Sequence, residues 1–160
     1  MSDANPNRRP RVGEFTERDL RQYQETKRLQ ENQDVEDDPK WGMSRFVRRM
    51  ALEIRVRDSN ERFVFLYADV QDLIIGRYDP ISGNSPDIDL ESFGALNKGV
   101  SRQHAVISRR DGSLNLIDQG SPNGTLLNGQ KLVMQQPRIL RDGDDIRLGH
   151  LVVRVTFLNE

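Results

Sequence analysis

The sequence predicts an all-β protein: an antiparallel β-sandwich preceded by a mostly disordered or partly helical N-terminal tail. Three observations point there. From residue 51 onward, apolar residues recur with the period of two that half-buried strands require. The runs are short and separated by tight-turn signals over about 110 residues, which fits an antiparallel sandwich better than a parallel sheet with helical crossovers. Before residue 46, by contrast, apolar residues are sparse and charges of both signs alternate.

The chain accordingly divides into a flexible charged tail, 1–45, and a folded domain, 46–160. The tail's apolar residues (Val12, Phe15, Leu20, Tyr23, Leu29, Val35) bury too little surface to offset the entropy of ordering it. One short helix fits within it. Thr16 and Asp19 have capping-box spacing, and Phe15 and Leu20 stand at the staple positions. Leu52-Glu53-Ile54-Arg55-Val56-Arg57 then opens the domain as an alternating strand. Further strands are expected at 62–68, 72–77, 104–110, 113–118, 124–127, 138–141, 144–148 and 151–158. The turns between them carry Ser59-Asn60, Asp111-Gly112, Asn128-Gly129, Asp142-Gly143 and Gly149-His150.

Composition narrows the function classes. The chain has 160 residues and a net charge of −1, so no overall field draws it onto nucleic acid or membrane. It has no cysteine, which removes disulfides, thiol nucleophiles and Cys-based zinc sites. No apolar run is long enough to span a bilayer, and residues 1–11 lack the apolar stretch of a signal peptide. The expectation is a cytoplasmic protein without cofactor or metal.

Three loop segments carry the chemistry: Gly76-Arg77, Ser101-Arg102-Gln103-His104 and Ser121-Pro122-Asn123-Gly124-Thr125. Guanidinium forks and hydroxyl donors suit a phosphate dianion, and a side-chain amide suits an extended peptide backbone. Asp111-Gly112 reads as a two-residue hairpin turn, so its flanking strands run antiparallel. The segments at Ser101 and Ser121 therefore emerge together at the end opposite that turn.

These residues resemble the forkhead-associated (FHA) domain, a phosphothreonine-binding sandwich, over roughly 52–158, with its Gly-Arg, Ser-x-x-His and Ser-x-Asn-Gly-Thr elements in order. The resemblance implies eleven strands and a peptide held by loops at one end. It implies that Arg77, Ser101 and Arg102 contact phosphate, that Asn123 binds the peptide main chain, and that Ser121 belongs to the same site. Gly76, His104 and Gly124 are its expected structural supports. Pro122 departs from relatives that carry a phosphate-binding threonine there, since proline has no donor.

The expected function is a phosphothreonine-dependent adaptor or regulator whose partner is written by a Ser/Thr kinase, with no nucleic-acid or membrane role. The alternative is a phosphate-independent scaffold that uses the sandwich face or the tail. An enzyme is disfavoured because no nucleophile, metal-binding acid set or nucleotide loop stands at a working spacing. Thr16 and Thr26, with Asp19 and Leu29 three residues on, are candidate phosphorylation sites that would let the tail occupy its own domain. Twenty or more coil residues, at about 5–6 Å times the square root of length, span a small domain. Elsewhere the plainer readings hold: Asp79, Asp87, Asp89 and Glu91 as solvated loop charges, residues 45–49 as a solvated basic junction, and His150 as an exposed turn residue.

Overall fold

A computed structural model describes residues 42–159. The expected tail helix and the candidate phosphorylation sites Thr16 and Thr26 lie outside the described residues. Within them, eleven strands form two facing sheets. They are β1 (Met50–Val56), β2 (Arg62–Leu66), β3 (Asp72–Gly76), β4 (Ile88–Asp89), β5 (Gln103–Arg110) and β6 (Ser113–Asp118). β7 (Thr125–Leu127), β8 (Gln130–Lys131), β9 (Arg138–Leu140), β10 (Asp145–Leu148) and β11 (Leu151–Asn159) follow. One sheet has the order β2-β1-β11-β10-β7-β8, the other β4-β3-β5-β6-β9.

Alternation dictates the layering. Leu52 and Ile54 on β1, Ile146 and Leu148 on β10, and Val153 and Val155 on β11 turn inward from the first sheet. Ile75, Ile107, Leu114 and Leu116 meet them from the second, and all are buried. Phe46 lies outside any strand yet is fully buried, stacked 5.6 Å from Tyr67 and edge-on at 5.2 Å to Phe157. The junction read as solvated thus sends its one aromatic ring into the core, while Arg45 bridges to Ser113 and Arg48 and Arg49 stay exposed.

The β5–β6 hairpin fixes where the loops of interest emerge. Asp111 and Gly112 both have positive φ, 52° and 77°, and Arg110 pairs with Ser113. This is the turn geometry that matches the right-handed twist of the strands. Two strands were not expected from alternation, β4 and β8. Each is two residues long, too short to show a period, and β4 sits in a loop and pairs parallel to β3.

The aromatic contacts make Phe46 the strongest probe of this packing. Phe46→Ala should lower the unfolding free energy by about 3–5 kcal/mol, measured by urea denaturation. Val64→Ala, on the exposed face of β2, should stay within about 0.5 kcal/mol.

Candidate functional site

Strand β3 ends where Gly76 is pressed against the Ser101-Arg102 backbone. A Cβ on Gly76 would collide with the carbonyl oxygen of Arg102, so only glycine lets these segments meet. The register shifts between Ile75 and Gly76, and Arg77 leaves the strand beside the loop that follows β4. Its backbone N–H donates to the Arg102 carbonyl (3.3 Å) and its Nε to the Val100 carbonyl (2.9 Å). Arg77 is half-buried and lines a cavity of about 640 Å³. Ser101, Arg102, Ser121, Pro122 and Ile74 line the same cavity.

His104 sets the distance between two of the three loops. The ring is fully buried; Nδ1 accepts the Ser101 backbone N–H (3.0 Å), and Nε2 bonds the Gly124 carbonyl (2.8 Å). Nδ1 as acceptor leaves Nε2 as the donor, so the imidazole is neutral. Burial pushes its pKa down, against the opposing pulls of the Gly124 carbonyl and the Asp118 charge.

Asp118, at the end of β6, organises the third loop. Its carboxylate accepts the Ser121 hydroxyl (2.6 Å), the Thr125 hydroxyl (2.7 Å) and the Gly120 and Ser121 N–H groups (3.0 and 3.3 Å). Burial alone would raise the Asp118 pKa, but those hydroxyls and amides outweigh it and hold it low. Asn123 is exposed and donates one amide hydrogen to the Gly99 carbonyl (3.0 Å).

The sequence-predicted residues are therefore not equally free. Ser101 is half-buried, and its hydroxyl has no partner among the described residues. The single proton of Ser121 is already given to Asp118. Arg102 is exposed and pairs with Asp79 at 3.3 Å. Asn123 keeps its second amide hydrogen and its oxygen.

Three of the loop acids read as solvated, Asp79, Asp87 and Asp89, are instead braces that spacing did not reveal, while Glu91 is exposed. Asp79 accepts the Ser82 hydroxyl (2.7 Å) and the Ile81 N–H (3.0 Å). Those two bonds lower its pKa against the opposing effect of burial, and Arg102 adds a lesser pull in the same direction as the bonds. Asp87 accepts the Ile74 N–H, and Asp89 accepts the N–H groups of Tyr78 and Glu91. Among the described residues, no group of three acids or histidines is placed to hold a metal ion. No described helix is long and apolar enough to cross a membrane.

The FHA domain family model matches residues 73–149. Over 76 residues the chain is 40% identical to the oxoglutarate dehydrogenase inhibitor of Corynebacterium diphtheriae, covering 48% of this chain and 49% of that protein. A human protein, angiogenic factor with G patch and FHA domains 1, is 38% identical over 61 residues, 34% of this chain and 8% of its own length. The chain thus spans about half of the first relative and a small part of the second. Among solved structures, one from a structural and functional analysis of phosphothreonine-dependent FHA domain interactions has 27% identity and a TM-score of 0.53. It is covered to 99% and covers 69% of this chain. The FhaA FHA domain, complexed with the intracellular domain of another protein, has 30% identity and a TM-score of 0.50, with 98% of it and 65% of this chain covered.

The neutral, buried ring of His104 makes a pH dependence. Its folded pKa lies below the ordinary value of about 6.5, so the unfolded chain takes up a proton first as pH falls. The stability it contributes is complete above that value and is lost as pH drops below it toward the folded pKa. Asp79 and Asp118, both lowered, lose theirs only below the ordinary carboxylate range. Urea melts should show wild type weakening between pH 7 and 5.5. His104→Gln should be less stable at pH 7 by about 1–3 kcal/mol and nearly flat across that interval.

Proposed function

The chain belongs to the FHA domain family, and we propose that it is a phosphothreonine-dependent binding module acting as a signalling adaptor or regulator. The observation that carries this reading is the convergence on one cavity of the unpaired Ser101 hydroxyl with the guanidinium groups of Arg77 and Arg102. Arg77 and Ser101 take the phosphate, and Arg102 joins them by exchanging Asp79 for the ligand. Such charge-assisted bonds contribute about 1.5–3 kcal/mol each. Asn123 holds the peptide main chain with its remaining amide groups. Ser121 supports the loop through Asp118 rather than touching phosphate, because its hydroxyl and its N–H are both engaged there. Gly76, His104 and Gly124 keep the loops in place.

The module binds and does not turn over its ligand. Its partner is a protein bearing a phosphothreonine written by a Ser/Thr kinase, and the named role of the Corynebacterium relative as an inhibitor supports a regulatory output. Ile74 and Pro122 give a threonine methyl apolar neighbours at the cavity. Burying that methyl favours phosphothreonine over phosphoserine by about fourfold.

Titration calorimetry with matched phosphothreonine, phosphoserine and unmodified peptides tests the reading. Arg77→Ala should reduce phosphopeptide affinity at least about tenfold while shifting the thermal midpoint little, as Arg77 is outside the core. Equal binding of all three peptides, or a native partner fully retained by Arg77→Ala, would favour the phosphate-independent scaffold instead.

The tail supplies a finer regulatory proposal: phosphorylated Thr16 or Thr26 occupies the cavity in cis. Their spacing to Asp19 and Leu29 supports it, and tethering near millimolar effective concentration lets even a weak ligand compete. After kinase treatment, the full chain should bind an external phosphopeptide more weakly than a Thr16→Val/Thr26→Val variant treated alike. Identical affinities would remove the switch.

A further inference from the structure

We infer that the outer face of the six-stranded sheet is a second binding surface, which takes an acidic and aliphatic segment of a partner protein. The inference stands apart from the phosphothreonine reading, since none of the residues on this face lines the cavity. The register of β2, β1 and β11 lays the face out in rows. Because Leu52, Ile54 and Val56 are buried in the core, Ala51, Glu53 and Arg55 point outward. Ala51 stands between Leu66 and Leu158, Glu53 between Val64 and Thr156, and Arg55 between Arg62 and Arg154. Arg154 in turn faces Asp145 on β10. Arg57, two residues beyond Arg55 and bonded through its N–H to the Val152 carbonyl (3.0 Å), extends the arginine end of the face.

Three arginines opposite one another on adjacent strands work against the sheet, because facing like charges destabilise it. The fold compensates only in part. Glu53 is buried, accepts Arg62 Nη1 (2.7 Å) and lies 3.5 Å from Arg55 Nε. Asp145 accepts Arg154 Nε (2.9 Å) and Nη2 (3.2 Å). Arg57 has no carboxylate within ion-pair distance among the described residues. Four exposed guanidinium groups thus share two carboxylates, and most of their donors remain free. The whole chain has a net charge of −1, so this cationic surplus is local. A local rule broken on an exposed face, with no full compensation inside the protein, is the mark of a functional surface.

The rows also define the partner. Val64 and Leu66 are exposed and Leu158 is half-buried, so aliphatic side chains continue the face away from the arginines. Guanidinium groups beside aliphatic side chains on a flat surface have the composition of a protein interface. A nucleic-acid strand fits less well. It would leave the aliphatic row wet, it would meet Glu53 and Asp145 with its phosphates, and these rows hold no exposed aromatic to stack a base. A second copy fits poorly too, because symmetry brings the arginine row onto itself or onto the aliphatic row, and neither supplies a carboxylate. Along β1 the outward positions read Arg57, Arg55, Glu53, Ala51. An extended segment laid over them is matched by two alternate carboxylates, then a neutral residue, then an aliphatic one.

The probe is the unphosphorylated peptide Thr-Glu-Thr-Glu-Thr-Thr-Thr-Leu-Thr-Leu, with a twin carrying glutamine for each glutamate. Both are titrated into the isotope-labelled full chain and followed by amide NMR. Shifts should move along β1, β2 and β11 and not at the cavity, and the glutamine twin should bind about fivefold or more weakly. In 1 M salt, where charges are screened beyond about 3 Å, the twins should bind alike. Arg55→Gln/Arg57→Gln protein keeps Arg62 on Glu53; it should lose the same factor for the glutamate peptide and be no less stable than wild type in urea. No shift on this face at millimolar peptide, equal binding of the twins at low salt, or an unweakened double variant would overturn the inference. So would a clearly destabilised double variant, which would make the arginines structural. Tighter binding of a single-stranded oligothymidylate than of the glutamate peptide, or a dimer that the double variant abolishes, would replace the acidic partner with nucleic acid or a second copy.

Discussion

The candidate site depends on one buried imidazole. His104 belongs to strand β5, yet its two nitrogens engage the main chain of two different loops, at Ser101 and at Gly124. Because the ring is rigid and both bonds are made inside the protein, the spacing between those loops is a property of the folded sandwich. No ligand is needed to set it. A neutral ring serves this role and a protonated one does not, since imidazolium has no lone pair for the Ser101 N–H.

Asp118 plays the complementary part at the end of β6. It reaches across from one sheet to Thr125 on a strand of the other, and bends the intervening loop around its carboxylate. A buried carboxylate is costly unless its lone pairs are filled; here four donors fill them. The arrangement separates two serines that look alike in the sequence. Ser121 spends its hydroxyl proton on Asp118, whereas Ser101 is held by its backbone N–H and keeps its hydroxyl uncommitted. Preorganisation is thus built from backbone carbonyls and the Asp118 carboxylate, and it leaves the Ser101 hydroxyl unspent.

Legibility in the sequence followed the length scale of each signal. The β5–β6 hairpin was readable because alternation on both sides and Asp111-Gly112 between them all agree. β4 and β8 were not, since two residues display no period and their pairing is decided by distant strands. Phe46 hid among arginines because its burial comes from Tyr67 and Phe157, remote in sequence. Arg77, Ser101 and Arg102 were visible as residue types, but which donors remain free was not. That depends on Val100, His104 and Asp79, and no spacing rule links them. The bracing role of Asp87 and Asp89 was hidden likewise, because each bonds a backbone amide more than ten residues away.

The Arg102–Asp79 pair shows how such a site stays responsive. Arg102 is exposed, so its attraction to Asp79 is screened and contributes little, on the order of 0–1 kcal/mol. Asp79, buried and held by Ser82 and Ile81, stays in place whether or not Arg102 is there. A phosphate dianion entering the cavity would therefore compete for an exposed guanidinium against a fixed single charge. On the proposed reading, a doubly charged ligand held by Arg77 and Ser101 would bind Arg102 more strongly than the singly charged Asp79 does. A carboxylate in the same position lacks the second charge and the third acceptor oxygen, so it displaces Asp79 less well. On that reading, the pair that occupies one of the two arginines would favour phosphate over acidic side chains.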